Sequence, residues 1–427
     1  MKIGVSKKCI STDLPIHLCG FGNPARGFDG VYDDIFVKAL AISEKKTVII
    51  VTADVLGFDK SLLKNVTKRI YEKTGVPEDA VLFNASHTHS APNVSPAFNP
   101  VLGAYEEEYG EFFYDSLYKV ALSAYEDLEE GELSFSSEAL SGLGMNRRRV
   151  EDGVCINAPN EEGIKNDTVT VIKGKCKNRT KAILFEYACH PSTIGFNYML
   201  GDFPGVAAKL LEKEYPGTTA LFMQGCCGNI RVSTKSPDAP RWRAGTYGDV
   251  ENFGKILFET AKKALSKEML SIKGDISYKV SDFELPLQKY LSREEYHALA
   301  NSNISEYDKC AYQKYYDEYD SLKDKLEYSV QKITLGDKFV LFALEGEVCV
   351  EYDYNIKSML PDKYVITVGY SNGSPGYICT EKMYELGKNS GYEPVRSCHV
   401  YFAGEGFEPY CERIILEKAK ELAAENE

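Results

Sequence analysis

Residues 80–92 have the sequence AVLFNASHTHSAP. Its apolar beginning predicts a short buried strand, after which His87 and His89 follow in an H-x-H pair. Because side chains alternate along an extended backbone, both imidazoles can point into a cleft at the end of this strand. Imidazole is the commonest metal ligand. By itself the stretch fits a metal site and a polar loop with one buried, hydrogen-bonded histidine about equally well.

Apolar strands alternate with amphipathic helices on both sides of this stretch, which predicts an α/β fold. No tandem repeat or Gly/Ser-rich linker is evident, so we expect residues 1–427 to form a single domain. Residues 287–324 are dense in Glu, Lys, Tyr and Asp and predict solvated helices, either an insertion or lid or an ordinary charged helix pair. Strands are predicted at 46–54, 168–172, 182–187, 219–223, 328–335, 339–344 and 364–370, and helices at 59–73, 106–127, 205–214, 250–267 and 412–427.

The composition of the chain excludes several classes of protein. With 44% hydrophobic and 26% charged residues it is typical of a folded globular protein. A net charge of -13, with nothing more basic than the run Arg147-Arg148-Arg149, argues against nucleic-acid binding. The beginning of the chain lacks an apolar signal, and no stretch of 18 apolar residues occurs, so we expect a cytoplasmic protein without a transmembrane segment. Its cysteines are then expected to be reduced, with Cys226-Cys227 as small apolar filler.

Other predicted strands also end in side chains that can bind a metal. Strand 182–187 leads to His190, strand 339–344 leads to Glu345 and Glu347, and strand 364–370 leads towards Tyr377. Ligands bind at the carboxyl ends of strands in open α/β sheets. Each of these residues has an ordinary structural interpretation when it is taken alone. Their common placement predicts that they converge on one crevice.

Two glycine-rich turns lack the features of a cofactor loop. Residues 19–24, CGFGNP, have no third glycine in a strand-turn-helix frame, and residues 224–229, QGCCGN, lack the Lys-Ser/Thr of a phosphate loop. Both are expected to be tight turns that bring backbone N–H groups close to a site. No G-x-S-x-G motif supplies a serine nucleophile.

Several stretches together resemble the signatures of the neutral/alkaline ceramidases: residues 84–92, GDFPG at 201–205, MQGCCGN at 223–229, the opening segment 19–34 and a late Tyr-rich segment. The resemblance runs in the same order over about residues 3–405. It implies the fold of the ceramidase catalytic domain, with mixed β-sheets flanked by helices. That family also has a C-terminal immunoglobulin-like domain, which we do not expect here.

The resemblance also implies a zinc site. Its ligands are two imidazoles, a carboxylate and a phenolate, at His87, His190, Glu347 and Tyr377. Glu345 is a rival of Glu347 on residue type alone. Zinc (Zn2+) held by such ligands lowers the pKa of a bound water to about 7 and prepares it to attack an amide carbonyl.

The resemblance implies catalytic roles for three further residues. His89 would shuttle a proton to the departing nitrogen, and Arg147 and Tyr392 would donate hydrogen bonds to the oxyanion. Tyr392 lies further from Tyr377 in sequence than the family spacing. The function implied is zinc-dependent hydrolysis of a linear N-acyl amide.

The sequence departs from the family at residues 228–232, GNIRV, where Arg231 replaces an expected serine. We expect Gly228, Asn229 and Arg231 to contact the substrate. Arg231 either pairs with an anionic substrate group or is an ordinary surface arginine. The expected substrate is therefore smaller or more soluble than ceramide.

Two other functions remain open. The protein could be a catalytically silent member that binds zinc or a metabolite, or a binding module in which the histidines are structural. Metal analysis of the purified protein distinguishes a binding module with structural histidines from both the hydrolase and the silent member.

Overall fold

The computed structural model describes residues 1–21 and 27–425. The strands are β1 (Lys2–Cys9), β2 (Leu18–Cys19), β3 (Gly30–Val31), β4 (Phe36–Ser43), β5 (Thr47–Ala53), β6 (Val81–Ala85), β7 (Ala91–Pro92), β8 (Glu129–Ala139), β9 (Gly144–Glu151), β10 (Val154–Asn160), β11 (Thr168–Cys176), β12 (Arg179–Tyr187), β13 (Tyr198–Met199), β14 (Thr219–Gln224), β15 (Ile230–Val232), β16 (Leu270–Ile272), β17 (Ile276–Pro286), β18 (Lys325–Leu335), β19 (Phe339–Leu344), β20 (Glu347–Val348), β21 (Tyr364–Val368) and β22 (Tyr377–Ile378). The α-helices are α1 (Lys60–Thr74), α2 (Glu107–Glu126), α3 (Asp202–Glu214), α4 (Tyr247–Ser266), α5 (Arg293–Ala300), α6 (Glu306–Asp317), α7 (Glu351–Lys357) and α8 (Cys411–Ala424).

A nine-stranded sheet forms the centre of the fold. Its strand order is β14-β12-β11-β8-β1-β4-β5-β6, with β16 paired to β8. The pairs at the two ends, β12 with β14 and β5 with β6, are parallel, and the pairs between them are antiparallel. The predicted α/β class with mixed sheets is therefore confirmed. Both parallel pairs end at the functional site described below.

A second sheet has the order β17-β18-β19-β21, in which only β19 and β21 are parallel. Every residue of β19 is buried. The carboxyl ends of β19 and β21 thus supply a second set of loops, and a small sheet of β10, β9 and β15 lies beside them.

The helices begin and end where the sequence provides caps. The Asp59 side chain accepts hydrogen bonds from the backbone N–H groups of Ser61 and Leu62 at the start of α1. Gly75, with a φ of 71°, ends this helix in the left-handed conformation that favours glycine. In α4, Thr246 and Asp249 form a reciprocal capping box. No helix among the described residues is both long and apolar enough to span a membrane.

The predicted elements match the structure to within a few residues, but several strands were not predicted. Strands β1, β8 and β17 carry many charged and half-exposed side chains. An antiparallel strand needs only a few buried residues, because its neighbours supply the backbone hydrogen bonds. Such strands have little apolar signal in the sequence.

Residues 287–324 form the helix pair α5 and α6, as their charged composition suggested. Tyr296 and Tyr315 are buried where α5 and α6 pack against each other and against the segment of the chain after residue 397. His399 Nδ1 lies 2.6 Å from an Asp308 carboxylate oxygen, which ties α6 to the rest of the protein. We continue to expect one domain in which this pair is an insertion.

The ion pair between Asp308 and His399 should make stability depend on pH. Burial alone would lower the pKa of His399, but the hydrogen bond to Asp308 raises it to about 10. Because folding raises this pKa, the ion pair makes its full contribution to the free energy of unfolding below about pH 6.5. That contribution is lost as the pH rises towards 10. Urea denaturation should show His399→Gln less stable than the parent by about 1–2 kcal/mol at pH 6.

By pH 10 this difference should have largely disappeared. His297→Gln is the control for the loss of an imidazole from the same helix pair, because His297 is exposed on α5. A difference between parent and His399→Gln that stays constant from pH 6 to pH 10 would contradict the ion pair.

Candidate metal centre

His87 lies in the loop that follows β6, and the backbone there is not extended. The strand ends at Ala85, and His87 has a φ of 65°. The expectation that strand alternation orients the two histidines was therefore wrong. Instead, the His87 N–H donates to Val55 O at 3.0 Å, and Nδ1 lies 2.6 Å from Leu56 O. These contacts direct Nε2 of His87 towards Glu347.

His190 reaches the same point from the loop after β12. Its Nδ1 lies 2.8 Å from Cys227 O and 3.0 Å from Ile230 O, and its Nε2 lies 2.9 Å from Glu347 Oε2. Burial, and next the charge of Arg147, lower the pKa of His190 to about 4. His190 is therefore neutral at pH 7, which is the form that binds metals.

Glu347 is the centre of the cluster. Strand β20 pairs with β22 so that Glu347 lies opposite Tyr377. Glu347 Oε2 lies 3.1 Å from His87 Nε2, and Oε1 accepts a hydrogen bond from the Tyr401 hydroxyl. Burial alone would raise the pKa of Glu347, but a proton on the facing nitrogens of His87 and His190 holds it well below its ordinary value. A carboxylate anion is thus buried among the imidazoles.

Glu345, the rival carboxylate, lies elsewhere. Its Oε1 is 2.7 Å from Lys60 Nζ and accepts a hydrogen bond from Ser329. The structure therefore brings Glu347, and not Glu345, to the two histidines.

Tyr377 completes the set of four predicted ligands. Its hydroxyl oxygen accepts a hydrogen bond of 2.8 Å from Arg147 and lies 3.5 Å from His190 Nε2. Burial raises the pKa of this phenol well above its usual range, against the charge of Arg147. A phenolate here therefore needs a further positive charge.

His89 lies beside the cluster, with Nε2 3.3 Å from Nε2 of His87. Its ring meets the ring of Phe21 edge-on at 4.9 Å and rests on Gly20, where a Cβ would lie 2.7 Å from His89 Cγ. Gly22, Asn23 and Pro24 of the predicted turn lie outside the described residues. The ligand nitrogens of His87, His89 and His190 are all within 4.8 Å of one another, so His89 is a rival ligand on geometry.

The contacts around Glu347 indicate that a cation belongs between these side chains. A neutral imidazole whose Nδ1–H donates to a backbone carbonyl has a lone pair on Nε2. Both His87 and His190 then point an acceptor at the anionic oxygen of Glu347, at 3.1 and 2.9 Å. Two acceptors this close repel unless a proton or metal lies between them. Carbonyl groups that hold Nδ1 are also what zinc-binding histidines use.

Arg147 is fixed by an ion pair of its own. Its Nε donates to Glu393 Oε1 at 2.8 Å, while its other end contacts Tyr377. The Arg147 guanidinium lies 5.9 Å from the ring of Tyr392, which is 38% exposed and lies edge-on to Tyr377 at 5.6 Å. Arg147 and Tyr392 thus flank the cluster, and their roles as oxyanion donors stay a prediction.

Tyr401 was not predicted as a site residue. Its hydroxyl contacts Glu347, and residues 402–407 return the chain towards β17. The late Tyr-rich segment is part of the resemblance, but no spacing in it singles out Tyr401. Only the folded arrangement brings it to the carboxylate.

The Gly228 N–H and the Asn229 side chain already form hydrogen bonds within the protein. The Gly228 N–H donates to Val348 O, and a Cβ on Gly228 would lie 2.5 Å from Glu347 O. The buried Asn229 side chain donates to the Glu351 carboxylate and accepts from the Val350 N–H. Both residues thus position the Glu347 segment, and their contact with a substrate stays a prediction.

Gln224, at the end of β14, joins the two histidine loops. Its side-chain amide donates to Ser86 O at 2.7 Å and to Cys189 O at 3.0 Å, and it accepts from the Cys189 N–H at 3.3 Å. Asn84 makes a similar connection, because it accepts from the Gln224 N–H at 2.8 Å and donates to Gly369 O at 2.8 Å. These two buried amides hold together the ends of four strands, β6, β12, β14 and β21.

Comparisons with known proteins agree with this architecture. A family model described as neutral/alkaline non-lysosomal ceramidase, N-terminal, matches residues 1–237. No curated protein matches the sequence. The fold is similar to that of neutral ceramidase from Pseudomonas aeruginosa, with a TM-score of 0.77 and 15% identity over 99% of this chain and 74% of that chain. A ceramidase complexed with C2 gives a TM-score of 0.76 and 14% identity over the same shares. At these identities the structures share the fold.

Replacement of Gln224 by Leu should loosen the centre as well as the fold. The change leaves buried carbonyls at Ser86 and Cys189 without a donor, and we expect a loss of about 2–4 kcal/mol in the free energy of unfolding. Because both histidine loops are released, the affinity of the centre for a metal ion should fall by about 10- to 100-fold. Urea denaturation and competition with a chelator measure the two effects.

Gln331→Leu is the matched control for this experiment. Gln331 is also a buried amide, and it donates to Asp79 O and Val81 O at the far end of β6. This variant should lose stability but keep its affinity for the metal ion. Equal effects of both changes on metal affinity would contradict the role of Gln224.

Proposed function

The chain belongs to the neutral/alkaline ceramidase family, since the family model matches more than half of its 427 residues, and from this premise we propose that it hydrolyses a linear N-acyl amide with the help of a zinc ion. The observation that carries the proposal is the approach of two imidazole acceptors to the buried carboxylate of Glu347. His87, His190, Glu347 and Tyr377 would hold the ion. When bound, zinc supplies a Lewis acid that lowers the pKa of water to about 7.

The other side chains have distinct tasks in this reaction. His89 lies beside the cluster, with Nε2 3.3 Å from Nε2 of His87, and can carry a proton to the departing nitrogen. Arg147, held by Glu393, presents a fixed positive charge beside Tyr377, where negative charge on the amide oxygen develops. The Tyr392 hydroxyl makes no hydrogen bond to another described residue, so it is available as a second donor.

Tyr401 is the less suitable donor, because its hydroxyl is already committed to Glu347. Its hydrogen bond fixes the orientation of the carboxylate. We therefore retain Tyr392 for the oxyanion and assign Tyr401 to positioning Glu347.

The alternative is a member of the family that binds zinc or a metabolite without turnover. Incubation of the zinc-loaded protein with a panel of N-acyl amines, N-acyl amino acids and short-chain ceramides, followed by mass spectrometry of the products, separates the two. Stoichiometric zinc with no cleavage of any of them would favour the silent alternative. We further propose that the natural substrate is smaller or more soluble than ceramide.

The first test of the centre is its metal content. About one zinc ion per chain should copurify, and His87→Ala or His190→Ala should abolish stoichiometric binding, because each change removes one of the proposed ligand nitrogens. Inductively coupled plasma mass spectrometry measures the ratio. His17→Ala is the control, since His17 is exposed and far from the cluster in sequence. Undiminished zinc in both site variants would reject the assignment.

A second test separates His89 from the ligands. If His89 acts on the proton and not on the metal, His89→Ala should keep about one zinc ion per chain while kcat falls by at least about 100-fold. If the three histidines form the ligand set instead, the same variant loses its zinc and Glu347→Gln does not. The metal content of these two variants therefore decides between the two geometries.

A further inference from the structure

Arg231 lies on the same sheet face as Arg147. In the pairing of β15 with β9, Arg231 is directly opposite Met145, and Ile230 is opposite Asn146. Residues two apart on a strand share a face, so Met145, Arg147 and Arg231 project to one side. Arg147 extends from this face to the Tyr377 hydroxyl. On the edge of β15 that faces away from β9, the backbone of Arg231 lies beside His190, one of the proposed ligands.

Arg231 differs from Arg147, Arg148 and Arg243 in having no acidic partner among the described residues. Arg147 and Arg148 both pair with Glu393, and Arg243 pairs with Asp249. Within the described part of the chain, Arg231 forms no ion pair, and its buried Nε has no hydrogen-bond partner. Burial, and next the charge of Arg147, lower the pKa of Arg231 to about 10, so it remains a cation at pH 7.

The guanidinium is nevertheless held in place. It lies 4.7 Å from the centroid of Trp242, the only tryptophan of the sequence. The Trp242 Nε1–H donates to Asn157 Oδ1 at 2.8 Å, which fixes the ring. A guanidinium that rests on an aromatic face keeps its N–H edge available for a planar anion.

A half-buried cation without a countercharge is unfavourable unless a ligand supplies one. The absence of a partner is notable in a chain whose net charge is -13. On this basis, and resting on the amide hydrolysis proposed above, we infer that the substrate is an N-acyl amide bearing a carboxylate, which Arg231 binds in a subsite walled by Trp242. N-acyl amino acids have this chemistry. Ceramide does not, since it is uncharged.

The inference can be tested with two probes that differ in one charge. N-hexanoylglycine carries the carboxylate, and N-hexanoylglycinamide is its neutral counterpart of nearly equal shape. Isothermal titration calorimetry of the zinc-loaded protein should give at least a tenfold lower Kd for the acid. Because Trp242 is the only tryptophan, its emission should change when the acid binds. Arg231→Met should remove the preference, and Arg231→Lys should retain part of it.

Arg241→Met is the matched control. It loses the same charge from a nearby exposed position, and the preference for the acid should remain. This control and Arg231→Met together also exclude direct binding of the carboxylate to zinc, since such binding would keep the preference in Arg231→Met. Circular dichroism verifies that each variant is folded. If Arg231→Met does not fold, the preference for the acid measured with Arg231→Lys provides the test.

The outcomes for this subsite and for the proposed hydrolysis are distinguishable. Preferential binding of the acid that depends on Arg231, with no cleavage of either probe, would support the subsite and reject the hydrolysis. Cleavage of both probes with equal kcat/KM, unaffected by Arg231→Met, would reject the subsite and keep the hydrolysis. Efficient cleavage of a short-chain ceramide that is indifferent to Arg231 would likewise overturn the inference.

Discussion

The buried amide of Gln224 is the constraint on which the site depends. The strands that lead to His87 and to His190 belong to different ends of the nine-stranded sheet, and no strand pairing joins them directly. Gln224 bonds to Ser86 on one loop and to Cys189 on the other. Buried backbone groups require partners, so a side chain that satisfies two loops at once also fixes their separation. The position of the histidines follows from this arrangement.

The electrostatics of the centre follow from the same geometry. Backbone carbonyls take the Nδ1 side of His87 and His190, which turns both Nε2 atoms inward. Glu347 is held beside them by the pairing of β20 with β22, and Tyr401 fixes one of its oxygens. Burial removes the water that would otherwise separate these groups. A cluster of acceptors assembled in this way by the fold is suited to a divalent cation.

The α/β alternation was predictable because its strands and helices have strong periodicity. Strands β14 and β19 are buried along their whole length and appear in the sequence as apolar runs. Strands β1, β8 and β17 were missed, because antiparallel pairing stabilises strands whose side chains are largely polar. The charged composition of residues 287–324 predicted the helix pair. It did not predict that Asp308 and His399 attach this pair to the rest of the protein.

The sequence by itself determined the residue types of the site and their place at strand ends. Strand ends and a family resemblance are enough to single out His87, His190, Glu347 and Tyr377, and the fold brings these four side chains together. Only the tertiary structure decided that the Asn229 amide donates to Glu351, that Tyr401 reaches Glu347, and that Arg231 lacks an acidic partner among the described residues. The reason is physical: a motif specifies which chemical groups are present, but hydrogen-bond partners come from segments far apart in the chain. Their distances and charges exist only after folding.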